Sequence, residues 1–491
     1  MARLLALGST LLGLALLAGV GWLAWSWYDS RLPGSYNAMD YATPDYGGGP
    51  QMAHEAMSGR SVDELTGPAE GPADFGQTLT ARKADVRLDS GKVIKALTFD
   101  GQVPGPQLEV SQGELVEVTL VNEDIAEGVS IHWHGVDVPN REDGVAGVTQ
   151  NAVRPGERYT YRFRADQAGT FWYHSHQTAA DEVRRGLYGA LVIKPRKPLP
   201  LHTRDLVAVA HTFPGAVVLG STDGTERQVV RPETPVRLRL INTDSSAQRF
   251  VLAGTPFSVA AIDGTDLNRP TPVEDESIQL GAGARYDLAF TMPATQVVLQ
   301  VVGSKAVLLL SPTTTSGDDE PVAKAGPTFD PDGYGSPAST PFTAESHFDR
   351  TFDVDIGRKL GFLDGKPGSH WSVNGKLFPR TPMYLVNLGD LVKMTIANDS
   401  GSTHPMHLHG HHFLVLSRNG RPLTGSPWWV DTLNVRSHER YEVGFRASNP
   451  GIWMFHCHNL PHARDGLTMH VVYGGVTTQY RAGDAAHNHP E

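Results

Sequence analysis

The chain has 491 residues, a net charge of −11, 52 glycines, 34 prolines and one cysteine. That length exceeds a single ordinary core and calls for about two to four domains, while Gly and Pro at this frequency call for many turns rather than long helices. The acidic balance excludes a general nucleic-acid binder, and a lone cysteine excludes an intrachain disulfide.

From the start of the chain, 25 uncharged residues lie between Arg3 and Asp29, LLALGSTLLGLALLAGVGWLAWSWY. As a helix they are long enough to cross the ~30 Å hydrocarbon core of a bilayer. Trp22, Trp25, Trp27 and Tyr28 gather at the far end, where an interfacial belt would sit. Residues 1–29 are read as a transmembrane helix acting as an uncleaved signal anchor. A cleaved signal peptide would show a shorter apolar part and a small-x-small site. With no twin arginine and no cysteine for lipidation there, the folded part is expected at the outer face of the cell membrane or in the periplasm, and secreted if the anchor is cut. Residues 30–75, rich in Gly, Pro and Ala, read as a flexible linker. A solvated linker is also the simpler account of Met39, Met52, His54 and Met57 than a soft-metal site.

The body repeats itself. ALTFDGQVPGPQLEVSQGELVEVTLVNED (96–124) has a counterpart in HWSVNGKLFPRTPMYLVNLGDLVKMTIANDS (370–400), and VVRPETPVRLRLINTDS (229–245) is a weaker third copy. A second element recurs as RPGERYTYRF (154–163), GAGARYDLAF (281–290) and RSHERYEVGF (436–445). Alternating apolar residues, β-branched side chains and closely spaced turns predict an all-β chain of three consecutive antiparallel β-sandwich domains. Their spans are 76–200, 201–325 and 345–476. Residues 326–344, overlapping the turn-rich stretch 313–340, form the linker before the third, and 477–491 form a disordered tail.

The outer copies also align at histidines. IHWHG (131–135) matches MHLHG (406–410), and GTFWYHSH (169–176) matches GIWMFHCH (451–458), with Ser175 where Cys457 stands. The middle copy has none of these histidines and is read as structural. On a strand, residues i and i+2 share a face. Each His-x-His pair therefore aims two imidazoles at one point, and His132, His134, His174, His176, His407, His409, His456 and His458 could meet in one cleft. Imidazole suits several transition metals, so these eight do not pick the ion. Cys457 does. Lying between His456 and His458, its sulfur faces away from that cleft, and His404 and His462 are spaced to reach it. A trigonal His₂Cys site is the blue-copper arrangement, whereas zinc wants a fourth strong ligand.

The segments HWHG, YHSH, HPMHLHGH and HCHNLPHARDGL resemble the four copper signatures of the three-domain multicopper oxidases, the family of laccases and metallo-oxidases. The resemblance runs over about residues 80–475 and implies cupredoxin-like Greek-key domains and four copper ions. It implies a type 1 copper on His404, Cys457 and His462 and a type 2 copper on His132 and His407. The type 3 pair would be held by His134, His174 and His458 on one ion and by His176, His409 and His456 on the other. Asp143, in REDG, matches the family's acid beside the cluster and is assigned to proton delivery; the bland reading makes it a turn residue. Two positions depart from the pattern. Leu467 stands at the axial position, where Met is frequent, so the potential of the type 1 copper should be high; Met469 is a weaker substitute by position. Ala463 stands where bacterial members often carry an acid.

The implied reaction is oxidation of one-electron donors coupled to four-electron reduction of O2 to water, with Cys457 linking the type 1 site to the cluster. Phenols and aromatic amines, laccase-like donors, are favoured because no Met-rich insert marks a cuprous oxidase. Oxidation of Cu(I) or another metal ion, in copper tolerance, is the alternative. A copper-free scaffold on the same fold would leave the filled ligand positions unexplained, and a two-domain nitrite reductase would leave several histidines without a role. His411, His412 and His438 are read as surface or supporting residues.

Overall fold

The computed structural model describes residues 2–50, 59–68, 70–313 and 323–490, side chains excepted at 2–10, 12 and 13. Met52, His54 and Met57 lie outside the described residues.

Each third of the body is a two-sheet sandwich. In the first, strands Val93–Phe99, Phe75–Arg87, Leu115–Asn122 and Arg158–Arg164 form one sheet, and Gly105–Ser111, Tyr188–Lys194, Gly169–His174 and His132–His134 the other. Leu115–Asn122 shows how the pattern works: Val116, Val118 and Leu120 are buried, while the residues between them are half exposed. The repeat predicted from sequence is visible in the pairing. Arg158–Arg164, Arg285–Thr291 and Arg440–Arg446 each lie antiparallel to the strand of the other repeated element, Leu115–Asn122, Pro235–Asn242 and Leu391–Asn398.

The sheets are mixed rather than purely antiparallel. Phe75–Arg87 runs parallel to Leu115–Asn122, Arg204–Phe213 to Pro235–Asn242, and Arg350–Leu363 to Leu391–Asn398. Between such partners the chain crosses into the opposite sheet and returns, so both enter from the same end. Local alternation specifies a strand and its buried face, not its direction, which is why periodicity missed this.

The segments flanking the body also differ from expectation. Residues 2–29 form a helix, Ala2–Asp29. Among the described residues, however, no helix is long and apolar enough to cross a membrane, and the spanning helix read from the sequence is not supported. Its C-terminal end instead touches the third sandwich, with Asp29 paired to Arg380 at 3.0 Å and Ser30 Oγ accepting from Gly365 N at 3.0 Å. The described part of residues 30–75 is woven into the body rather than loose. Thr43–Asp45 adds a parallel strand to Pro382–Val386, Arg60–Ser61 pairs with Val476–Thr477, and Met39 packs on an apolar cluster containing Met383 and Leu385. The linker before the third sandwich buries Phe329, Tyr334 and Phe342. The tail docks as well: Ala482 bridges Tyr36, and buried Asn488 accepts from Ala152 N at 2.9 Å. Composition misled because backbone pairing to a distant strand leaves no periodic signature in a short polar segment.

Candidate metal centre

Two equivalent strand pairs carry the histidines. His132–His134 pairs with Gly169–His174, placing His132 opposite His174. His404–Leu408 pairs with Ile452–Cys457, placing His407 opposite His456 and Met406 opposite Cys457. All eight histidines of the cleft are buried, and they meet between the first and third sandwiches. His132 Nε2 lies 3.4 Å from His407 Nε2, and His409 Nε2 lies 3.1 Å from His456 Nε2. The His176 ring sits 5.0 Å from His409 and 5.4 Å from His456, while His134 is 4.7 Å and His174 5.4 Å from His458. These distances bring the eight imidazoles into one cluster; which of them would share an ion is given by the resemblance.

The outer nitrogens are tied down, which aims the inner ones. His132 Nδ1 donates to the Asp143 carbonyl at 2.9 Å, His407 Nδ1 to the Asp431 carbonyl at 3.0 Å, and His174 and His456 to the carbonyls of Ser175 and Cys457 at 2.9 and 3.1 Å. His134 is turned the other way, with Nε2 at 2.9 Å from Thr432 Oγ1. Its Nδ1, His174 Nε2 and both ring nitrogens of His176 and His458 are buried and have no hydrogen-bond partner among the described residues. Such groups are rare unless they bind something. Burial first, and then mutual repulsion, holds His134, His174, His176, His409, His456 and His458 well below the ordinary imidazole range, so they are neutral and able to ligate. The middle sandwich supplies no ligand but closes the cleft: a Cβ on Gly283 would stand 3.0 Å from His134 and His458.

Cys457 faces the other side of its strand, as alternation requires. Its Sγ lies 3.5 Å from His404 Nδ1 and 3.8 Å from His462 Nδ1, and those two nitrogens are 3.2 Å apart. His404 Nε2 is held by Ser400 Oγ at 2.7 Å. Burial lowers His404 to about 3 and His462 to about 4, with the neighbouring His462 and Arg358 adding to the first effect and Arg358 to the second. Burial pushes the Cys457 thiol up, so its thiolate needs a bound cation. Leu467 and Met469 are buried nearby, but the Met469 sulfur accepts from Tyr384 OH at 3.8 Å, consistent with a site lacking a thioether. The donor set fits one thiolate copper and a separate imidazole cluster.

Asp143 is both a turn residue and a partner of the cluster. Its N–H donates to Asn140 O at 3.2 Å, and its carboxylate lies 3.1 Å from His132 Nδ1 and 3.0 Å from His409 Nδ1. Its turn is clamped to the third sandwich by Asn140, which exchanges two bonds with the Ile452 backbone at 2.9 and 3.1 Å. Glu142 adjoins it, accepting from Arg162 N at 3.0 Å, and burial pushes its carboxyl up to about 7. Because the folded state binds this proton more tightly than the unfolded chain, stability should fall as pH rises from about 4.5 through 7. Glu142→Gln should remove that fall and make the protein up to about 3 kcal/mol more stable than wild type at pH 8, with little difference at pH 4. Urea unfolding midpoints at the two pH values check it.

Sequence reasoning missed a second acid, Asp431. It lies 3.2 Å from His134 Nε2 and 3.4 Å from His407 Nδ1, and it receives two bonds from buried Arg285 at 2.7 and 2.6 Å. Although burial opposes it, Arg285 and the histidines hold the carboxyl well below its usual range. The signal was present: an acid next to the apolar run WWV. Of the supporting histidines, His411 bonds Tyr473 OH at 2.7 Å, His412 stands between Asp137 and Asp431 at 3.3 and 3.4 Å, and His438 is exposed. Trp428 and Trp429 are packing residues, against Tyr441 and Phe342.

Three sequence models described as multicopper oxidase match residues 80–198, 201–302 and 353–475, together more than two thirds of the chain. The multicopper oxidase MmcO of Mycobacterium tuberculosis is 26% identical over 459 residues, covering 81% of this chain and 86% of that protein. Laccase-1 of Botryotinia fuckeliana is 28% identical over 447 residues, covering 77% and 78%. The crystal structure of a multi-copper oxidase from Pseudomonas thermotolerans superposes with a TM-score of 0.66 at 28% identity, covering 82% of this chain and all of that one. With both sets of ligating side chains in place and its three sandwiches matched in order, the chain belongs to the multicopper oxidase family.

Proposed function

We propose that this protein is a laccase-like oxidase that takes single electrons from small donors, phenols and aromatic amines among them, at the Cys457 site and uses them to reduce O2 to water at the histidine cluster. The observation that carries this reading is the two-sided placement of residues 456–458: one sulfur toward His404 and His462, two imidazoles toward the cluster. Four bound coppers would supply the redox chemistry, accepting electrons singly and delivering four to O2.

The chain's own residues then have definite tasks. His404, Cys457 and His462 would hold the type 1 copper, His132 and His407 the type 2, and His134, His174, His458, His176, His409 and His456 the type 3 pair. Cys457 joins the two sites covalently through its peptide bonds to His456 and His458. Asp143 fixes the rings of His132 and His409 by their Nδ1 protons, and its own buried carboxyl, raised by desolvation, is placed to hold a proton for reduced oxygen. Burial of every cluster histidine excludes bulk water from the reacting centre.

For location, an outer face of the cell membrane or the periplasm is part of the same proposal. The uncharged stretch between Arg3 and Asp29 and the exposed Leu14, Leu16, Leu17, Val20, Trp22 and Trp25 support attachment there, with release if that segment is cut. Cell fractionation with and without residues 1–29 tests it. The reaction is tested by simultaneous O2 uptake and oxidation of 2,6-dimethoxyphenol: about four one-electron oxidations per O2 with no peroxide is expected. A ratio near two with peroxide released contradicts it.

A further inference from the structure

Beside His462 the surface is built around one aromatic ring. Trp371 is buried and packs on both imidazoles of the Cys457 site, 4.7 Å from the His404 ring and 4.4 Å from that of His462. Its outer face is covered by Arg358, the cross-strand partner in the hairpin, whose guanidinium carbon stands 3.7 Å from the ring centroid. That geometry is a cation–π contact. Arg358 Nη1 also donates to Ser369 O at 2.9 Å, which fixes the side chain while leaving it exposed. His462 itself is half-buried, the most accessible ligand of its site.

A cavity of about 570 Å³ adjoins, lined in part by Lys366, Phe378, Ala463 and Arg464 together with Asp364 and Asp465. Both acids are already paired, Asp364 with Arg31 and Asp465 with Arg464, each at 3.8 Å. Among the described residues, Arg358 and Lys366 have no carboxylate partner. Arg358 therefore puts an unpaired positive charge beside Trp371 and His462 on a chain whose net charge is −11. Such a contrast concentrates anions and repels cations at the point of electron entry.

We propose that this rim is an anion-receiving surface centred on Arg358, and that the preferred electron donors are anions (phenolates, carboxylated phenols, complex anions) rather than metal cations. This rests on the laccase-like reading and narrows its donor class. With hexacyanoferrate(II) as probe, four anions each give one electron, and one O2 with four protons becomes two waters; the four iron centres end as hexacyanoferrate(III).

The copper-loaded protein and its R358Q and R358K variants would be compared on hexacyanoferrate(II), neutral 2,6-dimethoxyphenol and Cu(I), at low salt and at 0.5 M NaCl. The wild-type ratio of kcat/KM for the anion over that for the neutral phenol should fall about tenfold in R358Q, stay near wild type in R358K, and fall with added salt. Separately, calorimetric titration under argon should show 4-hydroxybenzoate binding more tightly than neutral 4-hydroxybenzamide, with that preference lost in R358Q. Copper content and the visible spectrum check that each variant is folded. A ratio unmoved by substitution and by salt, equal binding of the two benzoyl compounds, or a wild-type preference for Cu(I) would overturn the proposal. Failure of the wild type to oxidise the neutral phenol would instead overturn the laccase-like reading itself.

Discussion

Cys457→Ser should abolish the intense visible absorption of the copper-loaded protein and reduce O2 uptake with any donor by at least about 10³-fold, while leaving the fold intact. Copper content should fall by about one ion per chain, because the eight cluster histidines do not touch the sulfur. Sγ, His404 Nδ1 and His462 Nδ1 lie within 3.8 Å of one another, and a serine oxygen cannot supply a soft thiolate. Metal analysis, the visible spectrum and an oxygen electrode check the three parts. An active, coloured variant would mean that electrons enter elsewhere.

The second large effect belongs to Asp431, which serves stability and metal binding at once. Its carboxylate is fully buried and takes two bonds from Arg285, itself fully buried, which also donates to Thr170 O at 3.0 Å and whose other ion-pair partner among the described residues is Asp263 at 3.4 Å. Asp431→Asn should destabilise the copper-free protein by about 3–5 kcal/mol, because it strands most of a guanidinium charge in the interior. Loss of the contacts to His134 and His407 should also weaken copper retention about 10- to 100-fold. Replacing both partners, Arg285→Met with Asp431→Leu, should restore much of the stability but not the copper affinity. Urea unfolding and competition with a chelator separate the two losses. Equal recovery of both would show that Asp431 acts on copper only through the fold.

Much of the centre was legible in the sequence, because strand alternation turns His-x-His into a geometric statement. It placed the eight imidazoles on one side and Cys457 on the other. Asp143 was found by its place in a motif. Arg285 and Trp371 were not, since they reach the centre from the middle repeat and from a separate hairpin by tertiary packing that no local period encodes, and Asp431 was not, since the strand it precedes, Thr432–Val435, comes alongside His404–Leu408 only in the folded sheet. The three sandwiches followed from repeats and alternation, whereas the parallel pairs depended on the crossing of the chain between sheets. The extended segments at both ends were misread for a related reason. Thr43–Asp45 and the stretch around Asn488 are fixed by single backbone pairings and side-chain bonds to distant residues. Neither buries enough apolar surface to leave a pattern.

The most direct test of the account is copper per chain after loading, measured together with the visible and EPR spectra. Four coppers, an intense thiolate-to-copper band and distinct type 1 and type 2 EPR signals are the predicted result. A protein that takes up copper at the histidine cluster but stays colourless, or that binds one zinc at Cys457 in its place, would contradict the assignment of Cys457 as the point where electrons enter.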